Sequence, residues 1–299
     1  MSLTTKRLLY LCGNILAVLG LFFIGWKLWQ WRDTLSLAML SSKILVSSLL
    51  LCLLSAANGA TLSFAWREIL ASFNADVSIK NAINIQGISQ LAKYVPGNVV
   101  HYLARQTMGR SFAVSHKILA ISTFLELALI GGVCIVYAIP LLAYLNLMEK
   151  LSFLSFLHIS LLPSLVIVCI ASSICCLILR KWRGVHLFRS ILYYYIFVGI
   201  MGFVFVVIVV ALADRAYPID LLILFFCAAV VAYFLGLVTP GAPSGIGVRE
   251  AVLIFILQNI VEPQVVIMAV LLWRCVTVIG DVVFYAIATT LIIPEKNNC

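Results

Sequence analysis

Seven apolar runs follow one another along the chain, separated by short polar stretches, at about 8–24, 42–62, 118–142, 153–179, 190–212, 219–238 and 264–293. A helix needs about 20 predominantly apolar residues to cross a hydrocarbon core about 30 Å thick, so each run predicts a membrane-spanning helix. The first run follows Lys6 and Arg7 and has the look of a signal peptide. Trp26, Lys27, Trp29 and Trp31 come after it in place of a small-residue cleavage site. Aromatic and basic anchors of this kind mark a membrane interface, which makes the run a retained first span.

Two stretches interrupt the pattern. In 239–257, Pro240 and Pro243 forbid a regular helix, and Gly241, Gly245 and Gly247 admit backbone angles that other residues avoid. The helical pattern resumes from Ser244, the expected N-cap, and places Arg249 and Glu250 in the first turns of a greasy segment. The second interruption is Pro96-Gly97, inside the amphipathic region 63–117. The pieces 83–92 and 98–108 on either side are too short to span, so the pattern predicts a helical hairpin dipping into the membrane. Asn98, His101 and Arg105 fall on one face of its second arm.

Broken backbone at membrane depth is tolerated where protein or a watery cavity satisfies it. A half-helix start also presents free N–H groups and a positive dipole end, which suit an anion. For Ser244, Gly245, Gly247 and Arg249, the alternatives are an anion site and a kink that only packs helices. For Asn98, His101 and Arg105, they are a site-lining polar face and an interfacial helix whose arginine snorkels to headgroups. The two breaks echo each other: Arg105 follows Pro96 by nine residues and Arg249 follows Pro240 by nine. Paired Gly/Pro-interrupted segments in two halves of a membrane protein point to a transporter's binding site.

Composition fixes the class. Of 299 residues, 64% are hydrophobic and 10% charged, against about 25% charged in soluble domains. The expectation is an all-α, polytopic membrane helical bundle of about 7–8 spans with two Pro/Gly-broken re-entrant segments, forming one domain over 1–299. The net charge of +9 is spread over several loops. It suits the anionic inner leaflet and not nucleic acid. The positive excess in 63–117 puts that region, and with it the N-terminus, on the cytoplasmic side. Most of the nine cysteines lie in predicted spans, as Cys12, Cys52, Cys134, Cys169, Cys227 and Cys275 do, where they act as small apolar residues. Cys175-Cys176 has no second pair at ligand spacing, so no metal site, disulfide framework or cofactor is expected. His116, His158 and His186 stand near loops and are expected to be solvated.

Glu126, Arg249, Glu250, Arg274 and Asp281 lie in or beside apolar helices. A charge at a helix centre in a membrane costs at least about 2.5–3.5 kcal/mol, so each should face the interior and find a partner. With Arg105 there are three positive and three negative groups, a balance that suggests mutual pairing around a polar cavity. Arg274 and Asp281 stand too far apart along one helix to pair with each other.

The two breaks carry a resemblance. Lys93-Tyr94-Val95-Pro96-Gly97-Asn98-Val99-Val100-His101-Tyr102-Leu103-Ala104-Arg105 resembles a Tyr-(Ile/Val)-Pro-Gly-Gly segment of the lysylphosphatidylglycerol synthase transmembrane-region family. Pro240 to Glu250, ending Gly245-Ile246-Gly247-Val248-Arg249-Glu250, is similar to that family's Pro-Gly-Gly-(Leu/Ile)-Gly-Val-Arg-Glu signature. Asn98 replaces the usual Gly, Val100 replaces an aromatic, and Ala242-Pro243-Ser244 lengthens the second break. The resemblance implies a flippase-like protein of a bacterial or archaeal inner membrane, without the soluble aminoacyltransferase domain of the lysine-transferring members.

The expected function is lipid transport: binding of a phospholipid or polyprenyl-phosphate headgroup by Asn98, His101, Arg105, Ser244, Gly245, Gly247, Arg249 and Glu250. Glu126, Arg274 and Asp281 would complete the polar cavity. The expected partners are membrane lipids and cell-envelope synthesis enzymes. A membrane enzyme acting on a lipid-linked substrate, and a scaffold subunit of an envelope polysaccharide complex, are the alternatives. No catalytic residue is assigned, because His101 and Glu250 have no second catalytic partner at a recognisable spacing.

Overall fold

The computed structural model describes residues 26, 29, 41–94, 100–110, 112, 114–144, 184–239 and 242–290. The expected spans at 8–24 and 153–179, the Pro96-Gly97 and Pro240-Gly241 dipeptides, and Asn98 lie outside these residues. Among the described residues there are eight α-helices, one short 3-10 turn and no strand.

Helix α1 (Ser42–Ala71) starts at Ser41, whose hydroxyl accepts the Ile44 N–H, and runs for 30 residues. It extends past Leu62, where the hydropathy pattern predicts its end. The added turns carry Trp66, Ile69 and Leu70, all fully buried. They are held by protein packing and so leave no apolar run to read. Arg67 closes the following turn, its Nε donating to the Val77 carbonyl at 2.9 Å. Helix α2 (Ile79–Ala92) is capped by Ser78, and α3 (Val100–Arg110) follows. Helices α4 (His116–Tyr144), α5 (Val185–Ala213) and α6 (Ile219–Val238) come next. The 3-10 turn Pro243–Gly245, the short α7 (Val248–Leu257) and α8 (Pro263–Thr290) complete the fold. Pro263 opens α8 where its missing N–H costs nothing.

Among the described residues, five helices are long and apolar enough to cross a membrane: α1, α4, α5, α6 and α8. The described residues therefore form an all-helical bundle with the make-up of a multi-pass membrane protein. Leu49, Leu50 and Leu53 on α1, Phe124 on α4, Phe203 on α5 and Phe255 on α7 point outward. A soluble protein rarely shows so much apolar side chain, whereas lipid accepts it.

The core lies between α1, α4, α5, α6, α7 and α8, and within it Phe205 meets Trp273 edge-on at 5.5 Å between centroids. Helices α1 and α8 approach closely. A Cβ on Gly59 would sit 2.5 Å from the Phe284 ring, and one on Gly280 would sit 2.6 Å from Ser55 Cβ. Small residues at helix crossings are how membrane bundles gain van der Waals contact, since burial from lipid supplies little drive. A second, smaller cluster joins Trp66 and Leu70 of α1 to Val77, Ala82, Ile85, Val114 and Leu119.

Candidate functional site: a charged cavity inside the bundle

One cavity draws on all eight helices. It encloses about 910 Å³ of space unfilled by atoms, part of it open to the surroundings. Helix α1 contributes Ser55, Asn58 and Gly59, and α2 contributes Gln86, Ser89 and Gln90, with Lys93 and Tyr94 just past its end. His101, Tyr102 and Arg105 come from α3, Glu126 from α4, and Phe197 and Met201 from α5. Tyr233 and Gly236 of α6, Ser244 of the broken segment, Arg249 of α7, and Arg274, Thr277 and Asp281 of α8 close it.

Three ion pairs organise the walls. Arg105 and Glu126 are joined directly, both almost fully buried. Arg274 Nε meets Glu250 Oε1 at 2.7 Å. Lys93 Nζ meets Asp281 Oδ2 at 2.7 Å, and the Tyr94 hydroxyl donates to the same oxygen at 2.5 Å. This last pair is the most exposed of the three, its side chains 23% and 16% accessible. The expected pairing of three cations with three carboxylates is thus altered. Lys93, which the sequence does not single out, takes Asp281, and Arg249 faces no carboxylate among the described residues.

Arg249 is buried at 5% exposure, its guanidinium 4.6 Å from the centre of the Tyr233 ring. A cation over an aromatic face is stabilised by the ring quadrupole, more so away from water. Two glycines define its path. A Cβ on Gly236 would lie 2.4 Å from Arg249 Cγ, and one on Gly245 would lie 2.8 Å from its Nε. Gly245 also has φ +68 and crosses the Gly236 backbone too closely for any side chain. Arg105 is placed alike, 5.2 Å from the Trp66 ring. The two arginines that follow the two breaks thus line one cavity, each over an aromatic ring.

The broken segment departs from expectation at its cap. Ser244 is not the N-cap of the half-helix; it lies inside the 3-10 turn with φ 51 and ψ 24, and the helix starts at Val248 after Gly247. A non-glycine residue in the left-handed region is uncommon and costs of order 1–3 kcal/mol, a strain that concentrates at functional sites. Arg274 Nη1 supports the turn by donating to the Ser244 carbonyl at 3.4 Å. The half-helix start is occupied from within, since the Gly247 N–H donates to Glu250 Oε2 at 2.7 Å. The Gly245 N–H is likewise engaged, by the Ala242 carbonyl at 3.0 Å. The Gly245 and Gly247 amides are therefore engaged within the broken segment itself. Glu250 braces α7 against α8 and does not line the cavity.

Five buried side-chain atoms on the cavity wall have no partner among the described residues: Gln86 Oε1, His101 Nδ1, Arg105 Nε, Ser244 Oγ and Arg249 Nε. Buried polar atoms are nearly always hydrogen-bonded, so a cluster of orphans around one cavity marks a place for a polar ligand or water. Four cations, Lys93, Arg105, Arg249 and Arg274, line the cavity, and three of them pair with Asp281, Glu126 and Glu250, the last from behind the wall, which leaves one positive charge in excess.

Two features escape the sequence reading. His186, expected to be solvated, pairs through Nδ1 with the buried Glu68 at 2.7 Å, tying α5 to α1. The residues Gln86, Ser89, Gln90 and Lys93 form an i, i+3, i+4, i+7 stripe on one face of α2. That spacing was the available signal, hidden because the segment is too short to span. Among the described residues no group of His, Cys, Asp or Glu is placed to hold a metal. Cys52, Cys134 and Cys227 are buried free thiols, while Cys275 is exposed.

Neither the models of known protein families nor the curated proteins give a match to this chain.

Proposed function

We propose that the protein binds the anionic headgroup of a membrane lipid in this cavity and carries it across the bilayer while the acyl chains stay in lipid. The observation that carries the reading is Arg249: a buried guanidinium on the cavity wall, facing no carboxylate among the described residues, beside the unpartnered Ser244 hydroxyl. An uncompensated buried charge is costly, so a site that retains one favours a ligand of opposite sign. A phosphate ester meets that need, with oxygens for the Arg249 and Arg105 Nε–H groups and for Ser244. The ion pairs at Arg105, Arg274 and Lys93 keep the walls polar without cancelling this charge.

The resemblance of 93–105 and 240–250 to the lysylphosphatidylglycerol synthase transmembrane-region family supports the same reading. It adds a flippase-like role in cell-envelope lipid biogenesis, in a bacterial or archaeal cytoplasmic membrane with the N-terminus inside. In this reading 83–108 and 239–257 are re-entrant segments, and their helix ends meet at the chamber.

The test is transport. The purified protein is reconstituted into vesicles holding a fluorescent phospholipid or polyprenyl phosphate, and the label reaching the outer leaflet is followed by dithionite quenching. Wild-type protein should accelerate exchange at least about 10-fold over Arg249→Gln at equal incorporation. Equal rates for the two would sink the proposal.

A further inference from the structure

Resting on the headgroup reading above, we infer that the lipid is a phosphodiester whose headgroup carries several hydroxyl groups, held by the amide-rich face of α2 that lines the same cavity as Arg249. Cation–phosphate attraction accounts for Arg249 and Ser244 but not for that face. Gln86 and Ser89 are each 1% exposed and Gln90 9%, and all three line the cavity. Burying an amide without a hydrogen bond is unfavourable. Ser89 is engaged, donating to the Gln86 carbonyl at 2.9 Å, but Gln86 Oε1 has no partner among the described residues.

A carbonyl oxygen only accepts, so it calls for a donor that a bare phosphate lacks. An ammonium would donate, but it would join a chamber where cations already outnumber carboxylates by one. Like-charge crowding in a low-dielectric interior disfavours it. A hydroxyl donates without charge, and it satisfies the amide in either orientation of the Gln86 side chain. Several hydroxyls would meet Gln86, Gln90 and His101 together, whose Nδ1 is also without a partner.

Three lipids with the same acyl chains separate the terms: phosphatidylinositol, phosphatidic acid and phosphatidylethanolamine, titrated against the full-length protein in detergent by native mass spectrometry. Phosphatidic acid carries the greater negative charge, so simple attraction would rank it first. The inositol lipid is expected to bind about 10-fold tighter than either of the others, the scale of hydrogen bonds otherwise left unmade. Gln86→Leu should bring the inositol lipid to the level of phosphatidic acid and leave phosphatidic acid unchanged, whereas Arg249→Gln should weaken both. Gln90→Leu, one turn further along the same face, carries the test if Gln86→Leu lowers the melting temperature by more than a few degrees.

Phosphatidic acid binding as tightly as the inositol lipid, with no effect of Gln86→Leu, would overturn this inference and leave the anion site standing. Equal binding of phosphatidylethanolamine would overturn it in favour of an ammonium donor. Failure of the wild type to hold any of the three removes the headgroup reading and the inference with it. Soluble inositol 1-phosphate should compete only weakly; full competition would keep the hydroxyl preference but move the ligand from lipid to a free phosphate ester.

Discussion

Glu250 and Arg274 meet at 2.7 Å across the start of α7, and this contact fixes the broken segment to α8. The second Glu250 oxygen accepts the Gly247 N–H, so one carboxylate both caps the half-helix and docks it. Both side chains are largely buried, at 7% and 12% exposure. Breaking a buried pair by removing one partner costs about 3–5 kcal/mol, while replacing both by apolar groups costs far less. Glu250→Gln and Arg274→Met are each expected to lower stability by about 3 kcal/mol in denaturant titrations in detergent, with the double variant less harmed than the sum. Additive losses would mean that the pair does not act as a unit.

Gly236→Ala tests the path of Arg249 without touching its charge. The added methyl would lie 2.4 Å from Arg249 Cγ, so the side chain has to leave the Tyr233 ring. Overpacking of this kind costs about 1–3 kcal/mol of stability. The expected result is a folded protein whose lipid exchange falls about as far as in Arg249→Gln. A variant with wild-type exchange would show that the guanidinium's position over Tyr233 is not required.

Asp281 gathers Lys93 and Tyr94 at the end of α2, which pins the chain just ahead of Pro96-Gly97 to α8. Asp281→Asn keeps the shape but removes the charge, and charge-assisted hydrogen bonds are roughly twice as strong as neutral ones. Hydrogen–deuterium exchange over 88–94 should rise at least about fivefold, with little change in α5. Unchanged exchange there would show that the turn is held by packing alone.

Glu126→Gln leaves Arg105 without its carboxylate and raises the excess charge of the chamber. Loss of the pair should destabilise the fold by about 3 kcal/mol. Anionic lipid binding should nevertheless tighten, by about 3- to 10-fold in titrations at low salt, because the added charge lies in a poorly screened interior. Weaker binding would place Glu126 among the groups that orient the ligand.

The membrane class was legible from the first because hydropathy runs are local. The ends of α6, at 219 and 238, coincide with the apolar run, since Pro218 and the Thr239-Pro240 break punctuate it. The end of α1 was not legible. Its last turns face Ile85, Val114 and Leu119 rather than lipid, and protein packing asks for no long apolar stretch. The unusual residues of 239–257 pointed to a broken helix, yet they did not say that Glu250 would cap it in place of Ser244.

The sequence alone settled which segments are greasy, where the chain is interrupted, and which charges must be sheltered, because each follows from the cost of placing a given side chain or backbone group in lipid. Which charge answers which was decided only in three dimensions. Lys93 and Asp281 stand 188 positions apart, as do none of the spacings a helix can report, and they meet because α2 packs on α8. Arg249, by contrast, rests over Tyr233 without an ion pair among the described residues, since pairing depends on through-space distance and the linear pattern records only neighbours along one helix.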